Sequence, residues 1–310
     1  MSDKKKVICV LGPTASGKTE LGIKIAEKLN GEIICADSMQ IYKGMSVASA
    51  APTEDERKRV PHHLAEFLNY DESFTVGEYV KSARAKIEEL LKRGVTPVIV
   101  GGTGLYISSL ADNIIFTEAQ TDKQLRGRLE KRMEEIGAEA MLDELGKLDS
   151  AAAEKLHPNN KRRIIRAFEI YETTGLTVTE QNRVSRREEN PYEYVMLGIN
   201  YKDRQKLYDR INLRVDKMVE NGLVPEAQTA FKNQKGTSDG AVQAIGHKEL
   251  FPYFNGECSL EECIEKLKQS TRRYAKRQLT WFSRDERINW LYPDEDEDIF
   301  KRAINIISES

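Results

Sequence analysis

Gly12-Pro13-Thr14-Ala15-Ser16-Gly17-Lys18-Thr19 follows an apolar run at 7–11 and precedes an amphipathic stretch. The spacing is GxxxxGK[ST], and its flanks read as a strand before it and a helix after it. In such a turn the glycines let the backbone wrap so that its N–H groups point inward. The helix that follows adds partial positive charge at the same spot. Lys18 supplies a mobile cation for a terminal phosphate, and the Thr19 hydroxyl is suited to Mg²⁺. This turn predicts a phosphate cradle at the carboxyl end of a buried strand.

Working outward, Leu21, Ile25, Ala26 and Leu29 recur at helical spacing, which predicts a helix over 20–29 stopped by Gly31. Residues 32–36 read as a second strand. Val76, Tyr79, Val80, Ala83, Ile87, Leu90 and Leu91 form one stripe, so 76–93 is a predicted helix with Gly94 as its stop. Residues 97–100 read as another buried strand, ending in Gly101-Gly102. Strand, helix, strand, helix, strand is the alternation of a parallel sheet with crossover helices. From about 122 to 174 only helical periodicity is visible. A strand at 193–200, helices at 203–221 and 260–284 and a last strand at 288–292 follow. The expected fold class is α/β: a parallel sheet with flanking helices and an inserted all-helical domain. The core is assigned to 1–119 with 191–310, and the insertion to 120–190.

The chain has 310 residues and a mass of 35.3 kDa, of which 39% are hydrophobic and 32% charged, with mean hydropathy −0.57. No apolar run approaches the roughly 20 residues that cross a bilayer. Lys4–Lys6 before so short an apolar run does not make a secretory signal. Cys9, Cys35, Cys258 and Cys263 show neither CxxC spacing nor a histidine partner at zinc spacing, so reduced thiols and a cytoplasmic location are expected. The net charge of −2 is uninformative, but its distribution is not. Residues 155–187 carry eight Lys/Arg against three Glu, and 266–287 eight against two acids. Two basic segments in a near-neutral chain point to one basic face.

An ATPase or kinase needs a carboxylate at the end of a hydrophobic strand to hold Mg²⁺ and manage water. The strand at 98–100 runs into Gly101-Gly102-Thr103-Gly104 with no acid. The acid at a strand end is Asp37, opening Asp37-Ser38-Met39-Gln40-Ile41-Tyr42-Lys43-Gly44-Met45. A cradle with no obvious hydrolytic acid suits a diphosphate that is a leaving group. His62-His63 has no further ligand at metal spacing and is read as a structural loop.

GPTASGKT, DSMQIYKGM, VPHHL at 60–64, GGTGLYI at 101–107, HPNNKRRIIRAFEIYETTG at 157–175, AIGHKE at 244–249 and KRQLTWFSR at 276–284 stand in this order. The series resembles the bacterial tRNA dimethylallyltransferases (tRNA isopentenyltransferases), over nearly the whole chain. Three departures are local. Asn160 stands where the family usually has an acid. His247 stands where it usually has tyrosine. Residues 46–52 (Ser-Val-Ala-Ser-Ala-Ala-Pro) replace a stretch that usually carries a lysine.

The resemblance implies transfer of a dimethylallyl group from dimethylallyl diphosphate to N6 of the adenosine 3′ to the anticodon. The acceptors would be tRNAs reading codons that begin with U. Mg²⁺ would be required and ATP not. It implies that Asp37 is the general base or a second-shell Mg²⁺ ligand, and that Thr103 lies beside the reacting centre. Lys18 and the cradle would hold the diphosphate, with Thr19 at the Mg²⁺. Asp37, Ser38, Met39 and Gln40 would meet the target nucleotide. Arg126, Arg162, Arg163, Ile164, Ile165 and Arg166, and Gln243, Ala244, Ile245, Gly246, His247 and Lys248, would contact the anticodon loop. Lys276, Arg277, Gln278, Trp281 and Arg284 would face the stem backbone or the channel. Trp281 and Phe282 could stack on bases, though aromatics at helical spacing are more often core. A monomer that touches no membrane is expected. Two alternatives are a prenyltransferase acting on free AMP or ATP, and an RNA-binding module whose cradle holds a nucleotide as a switch.

Overall fold

The computed structural model describes residues 4–116, 122–185, 189–233, 241 and 244–310. Its centre is a six-stranded, all-parallel sheet of order β3-β2-β4-β1-β5-β6. The strands are β1 (Lys5–Leu11), β2 (Gly31–Ala36), β3 (His62–His63), β4 (Thr96–Gly101), β5 (Tyr192–Ile199) and β6 (Asn289–Leu291). Alternation along β1 sorts its side chains onto two faces. Val7, Cys9 and Leu11 pack under the helices Val76–Lys92 and Gly104–Ala111, whereas Ile8 and Val10 pack under Lys18–Lys28 and Ile299–Glu309. Each such aliphatic side chain contributes about 1.5–3 kcal/mol on burial. Exposed ion pairs contribute about 0–1 kcal/mol. The sheet and its two apolar layers therefore dominate the stability.

The strands and the long helices expected from the sequence are present, with ends shifted by a few residues, whereas the helices Glu54–Arg59, Gly104–Ala111, Val178–Val184 and Leu223–Asn233 were not anticipated. The exception at the sheet's edge is His62-His63, expected as a loop, which is a short parallel strand in register with Ile33 and Ile34. The cause is polar pairing. Ile33 N–H donates to Pro61 O at 2.9 Å, and His63 Nε2 lies 2.7 Å from Glu32 Oε2. The helix Ile299–Glu309, opened by Asp298 accepting from the Phe300 and Lys301 amides, is a further element the pattern reading did not reach.

The chain divides into two compact units, Met1–Ala111 with Pro191–Ser310, and Asp112–Asn190. The second is built on the helices Lys123–Ile136, Ala138–Leu148 and Lys161–Thr174 around Leu129, Met141, Leu145, Ile164, Ile165 and Phe168. In the first, Arg204–Glu220, Leu223–Asn233 and Leu260–Phe282 enclose a further apolar cluster that includes Val215, Leu223, Ala227 and Leu267. Leu260–Phe282 starts at a capping box, Ser259 with Glu262, and stops two residues short of the expected end. Because β2, β4 and β1 are neighbours and parallel, the loops after Ala36, Gly101 and Leu11 meet at the carboxyl end of the sheet. That is where ligands bind in open parallel sheets.

Candidate functional site

The turn after β1 is held open by backbone geometry. Gly12 has φ +154°, and a Cβ there would lie 2.7 Å from Ile199 O, so a larger residue cannot be seated. Ala15 takes the left-handed region at φ +64°. The helix Lys18–Lys28 has Gly17 as its N-cap and no side chain capping it. Its first amides are thus left to an incoming anion. Arg210 Nε clamps the outside of the turn on Ala15 O at 2.9 Å.

The turn is tied to the glycine loop after β4 by one side chain. Gln278, buried on Leu260–Phe282, accepts from Thr14 N at 2.9 Å and donates from Nε2 to Gly102 O at 2.9 Å. A Cβ on Gly102 would sit 2.2 Å from that nitrogen, so the clip requires glycine. Thr103 then joins the loop after β2. Its Oγ1 accepts from Ser38 N–H at 2.9 Å. Asp37 is oriented by Met39 N–H, which donates to its Oδ1 at 2.9 Å. Gln40 Nε2 donates to Ala50 O at 2.8 Å.

Part of this set lines one cavity of about 450 Å³, with Thr103 behind its wall at Ser38. On its walls stand Thr14, Lys18 and Thr19, then Asp37, Ser38, Met39 and Gln40, then Arg214, Tyr274, Arg277 and Gln278. Lys18 Nζ donates to Pro13 O at 3.3 Å. Burial pushes its pKa down to about 8, the Arg214 charge adds to the fall, and Asp37 opposes it. Arg214 is itself lowered by burial, with Asp37 again opposing. Two desolvated cations that share Asp37 as their opposing charge form a site short of negative charge, and a diphosphate would supply it. The donor set also fits a divalent cation. Thr19 and Asp37 offer hard oxygens, and among the described residues no cluster of three His, Cys, Asp or Glu forms a cage of its own. Mg²⁺ characteristically takes one or two protein oxygens and shares the rest with substrate phosphates and water.

The remaining expected residues divide by burial. Arg162, Arg163 and Arg166 are exposed on Lys161–Thr174. Arg126 and Arg166 both pair with the buried Glu169, at 3.4 and 3.1 Å. Ile164 and Ile165 turn inward and belong to the core of the helical unit, because three apolar residues at 164, 165 and 168 share its inner stripe. That corrects their expected contact with RNA. His247 is buried with its Nε2 2.8 Å from Glu226, so its side chain is likewise no surface contact. Ala244 is buried but lines the cavity with Ile245 and Lys248; Gly246 is buried, and Gln243 lies outside the described residues. Trp281 is 40% exposed, its Nε1–H donating to Ser108 Oγ at 3.0 Å, whereas Phe282 is core. Lys276 and Arg284 are exposed. Arg214 and Tyr274 were not anticipated. The signal for Arg214 is its place on the inward stripe of Arg204–Glu220, three residues after Ile211 and four before Met218.

The chain matches the family model described as IPP transferase over residues 40–285 and that described as isopentenyl transferase over 5–73. It is 45% identical over 294 residues to a tRNA dimethylallyltransferase of Caldanaerobacter subterraneus, covering 94% of this chain and 92% of that one. A crystal structure of the tRNA isopentenylpyrophosphate transferase of Bacillus halodurans is similar, with TM-score 0.71 and 41% identity, covering 99% of this chain and 97% of that one. A eukaryotic dimethylallyltransferase acting on tRNA is similar with TM-score 0.84 at 30% identity, covering 98% of this chain and 80% of that one.

Proposed function

The chain belongs to the IPP transferase family, and from that premise we infer that it is a tRNA dimethylallyltransferase. It transfers the dimethylallyl group of dimethylallyl diphosphate to N6 of the adenosine 3′ to the anticodon, in tRNAs reading codons that begin with U. The observation that carries this reading is one cavity with an anion cradle and two half-buried cations beside a strand-end carboxylate.

The chemistry asks for two things. The adenine exocyclic amine is a poor nucleophile, since its lone pair is delocalised into the ring, and its proton must leave as the C–N bond forms. Asp37 is suited to take that proton, help that is worth about 10²–10⁴ in rate. As the allylic C–O bond breaks, negative charge gathers on the departing diphosphate. The cradle amides, Lys18 and Arg214 stabilise it, which is usually the largest contribution. Mg²⁺, held by Thr19 and the phosphates with Asp37 close by, would add charge neutralisation. Thr103 fixes the Asp37–Gln40 loop against the cradle through Ser38. The target base must be extruded to reach the cavity, at a cost of a few kcal/mol. Gln40 is suited to read its edge. Arg126, Arg162, Arg163 and Arg166 of the helical unit are suited to the anticodon loop, and Lys276 and Arg284 to the stem backbone.

Asp37→Asn keeps the shape and removes the base. Single-turnover prenylation of an anticodon stem-loop should slow by about 10²–10⁴, with RNA affinity and the Mg²⁺ concentration for half-activity little changed. A normal rate, with a Mg²⁺ requirement raised instead, assigns Asp37 to the metal's surroundings and removes it as base. Transfer to free AMP with none to RNA defeats the reading as a whole.

A further inference from the structure

The cavity is also lined by Ala48 and Ser49 of a helix of only four residues, Ser46–Ser49, and by Ala50 and Ala51 after it. So short a helix does not hold itself, since the first turn fixes several dihedrals for one hydrogen bond. Its N-cap, Met45, has no side-chain oxygen, and Ala50 closes it in the left-handed region at φ +47°. What holds it comes from far along the chain. Glu226 accepts from Val47 N–H at 2.8 Å on one carboxylate oxygen and from Ala48 N–H at 2.9 Å on the other. The second oxygen also lies 2.8 Å from His247 Nε2, and the His247 ring is fully buried. Burial alone would raise the Glu226 pKa, but His247 and the two amides outweigh it and hold the carboxyl below its usual range. An ionised acceptor fixes the proton of His247 on Nε2.

The other end of the little helix touches the site. Gln40 Nε2 donates to Ala50 O at 2.8 Å and to Ser49 O at 3.4 Å, and Arg214 reaches Ser49 O at 3.5 Å. The orientation of the Gln40 amide thus depends on where these two carbonyls stand, and they stand where Glu226 puts them. Two of the three places at which this chain departs from the family pattern, 46–52 and His247, meet at that one carboxylate.

We propose that Glu226, oriented by His247, is a positioning residue of the acceptor pocket: it caps Ser46–Ser49 and so presets Gln40 for the target base. The proposal rests on the function inferred above. The helix holds Gln40 at 2.8 Å and Arg214 only at 3.5 Å, so its loss is felt in RNA recognition more than in donor binding.

The test is steady-state kinetics of the full chain with an unmodified anticodon stem-loop and dimethylallyl diphosphate, alongside thermal unfolding. Glu226→Gln presents an NH₂ to one of the amides, and His247→Phe removes the donor while keeping a buried ring. Each should raise KM for the stem-loop about tenfold, the loss of one hydrogen bond, with kcat and the donor KM within about twofold. The double variant should be no worse than either single one, because both break the same chain of contacts. His247→Tyr restores a donor and should return KM to the wild-type value. A wild-type KM in His247→Phe, equal rises in both KM values, or a His247→Tyr no better than His247→Phe overturns the proposal. His247→Phe and His247→Tyr carry the test should Glu226→Gln unfold. A wild-type chain that leaves the stem-loop unmodified defeats the inferred function instead.

Discussion

Lys18 keeps its charge in surroundings that work against it, and this sets a pH limit on the free enzyme. With its pKa lowered to about 8, the ammonium is present below that pH and lost above it. kcat/KM for dimethylallyl diphosphate, which reports the free enzyme, should therefore fall above pH about 8. At saturating donor the limb should move alkaline, because bound diphosphate favours the charged form. Lys18→Arg should abolish the limb, since a guanidinium stays charged; a wild-type profile flat to the ordinary lysine value of about 10.4 contradicts the assignment. Lys18, Thr19 and Asp37 were legible because their signals are local: a spaced glycine turn and an acid at a strand end. Tyr274 and Glu226 were not, since nothing in their own neighbourhood distinguishes a polar group facing inward from one facing water, and Arg214 shows only its place on the stripe of Ile211 and Met218. Only the packing of Arg204–Glu220, Leu260–Phe282 and Leu223–Asn233 turns those positions inward.

Among the elements, the least regular one depends most on polar contacts. β3 is two residues long at the sheet's edge, and Glu32 binds it to the end of Val76–Lys92 through His63 at 2.7 Å and Arg93 at 2.6 Å. Burial would raise the Glu32 pKa, but His63 and Arg93 hold it below the usual value. Its contribution is therefore present above about pH 4.5 and lost as pH falls through the lowered value. Glu32→Ala should cost about 1–3 kcal/mol in urea unfolding at neutral pH, and the difference from wild type should shrink below about pH 4. A deficit that persists unchanged in acid contradicts that origin. Periodicity alone could not see this strand, because two histidines carry no alternation; the pairing partner 31 positions earlier makes it. The long elements were legible because each has both a stripe and a stop. Ile299–Glu309 has Ile299, Ala303 and Ile307 at helical spacing behind the Asp298 cap, a stripe that the packing on the sheet makes part of the core.

At the scale of the whole molecule, the proposed function assigns the donor to the cradle and the RNA to the exposed arginines of Lys161–Thr174. Neutralising Arg162 and Arg163 together should weaken stem-loop binding and flatten log Kd against log salt by roughly 0.7 per lost phosphate contact. An unchanged slope, measured by fluorescence anisotropy, removes both from the interface. The central claim is that the cradle grips diphosphate as a leaving group while an extruded adenine attacks the carbon it leaves. The most direct measurement is mass spectrometry of an unmodified anticodon stem-loop after incubation with the purified chain, dimethylallyl diphosphate and Mg²⁺, without ATP. The account predicts one dimethylallyl group in place of one hydrogen on the adenosine 3′ to the anticodon. An RNA of unchanged mass, from a preparation that instead hydrolyses ATP or prenylates free AMP, contradicts it.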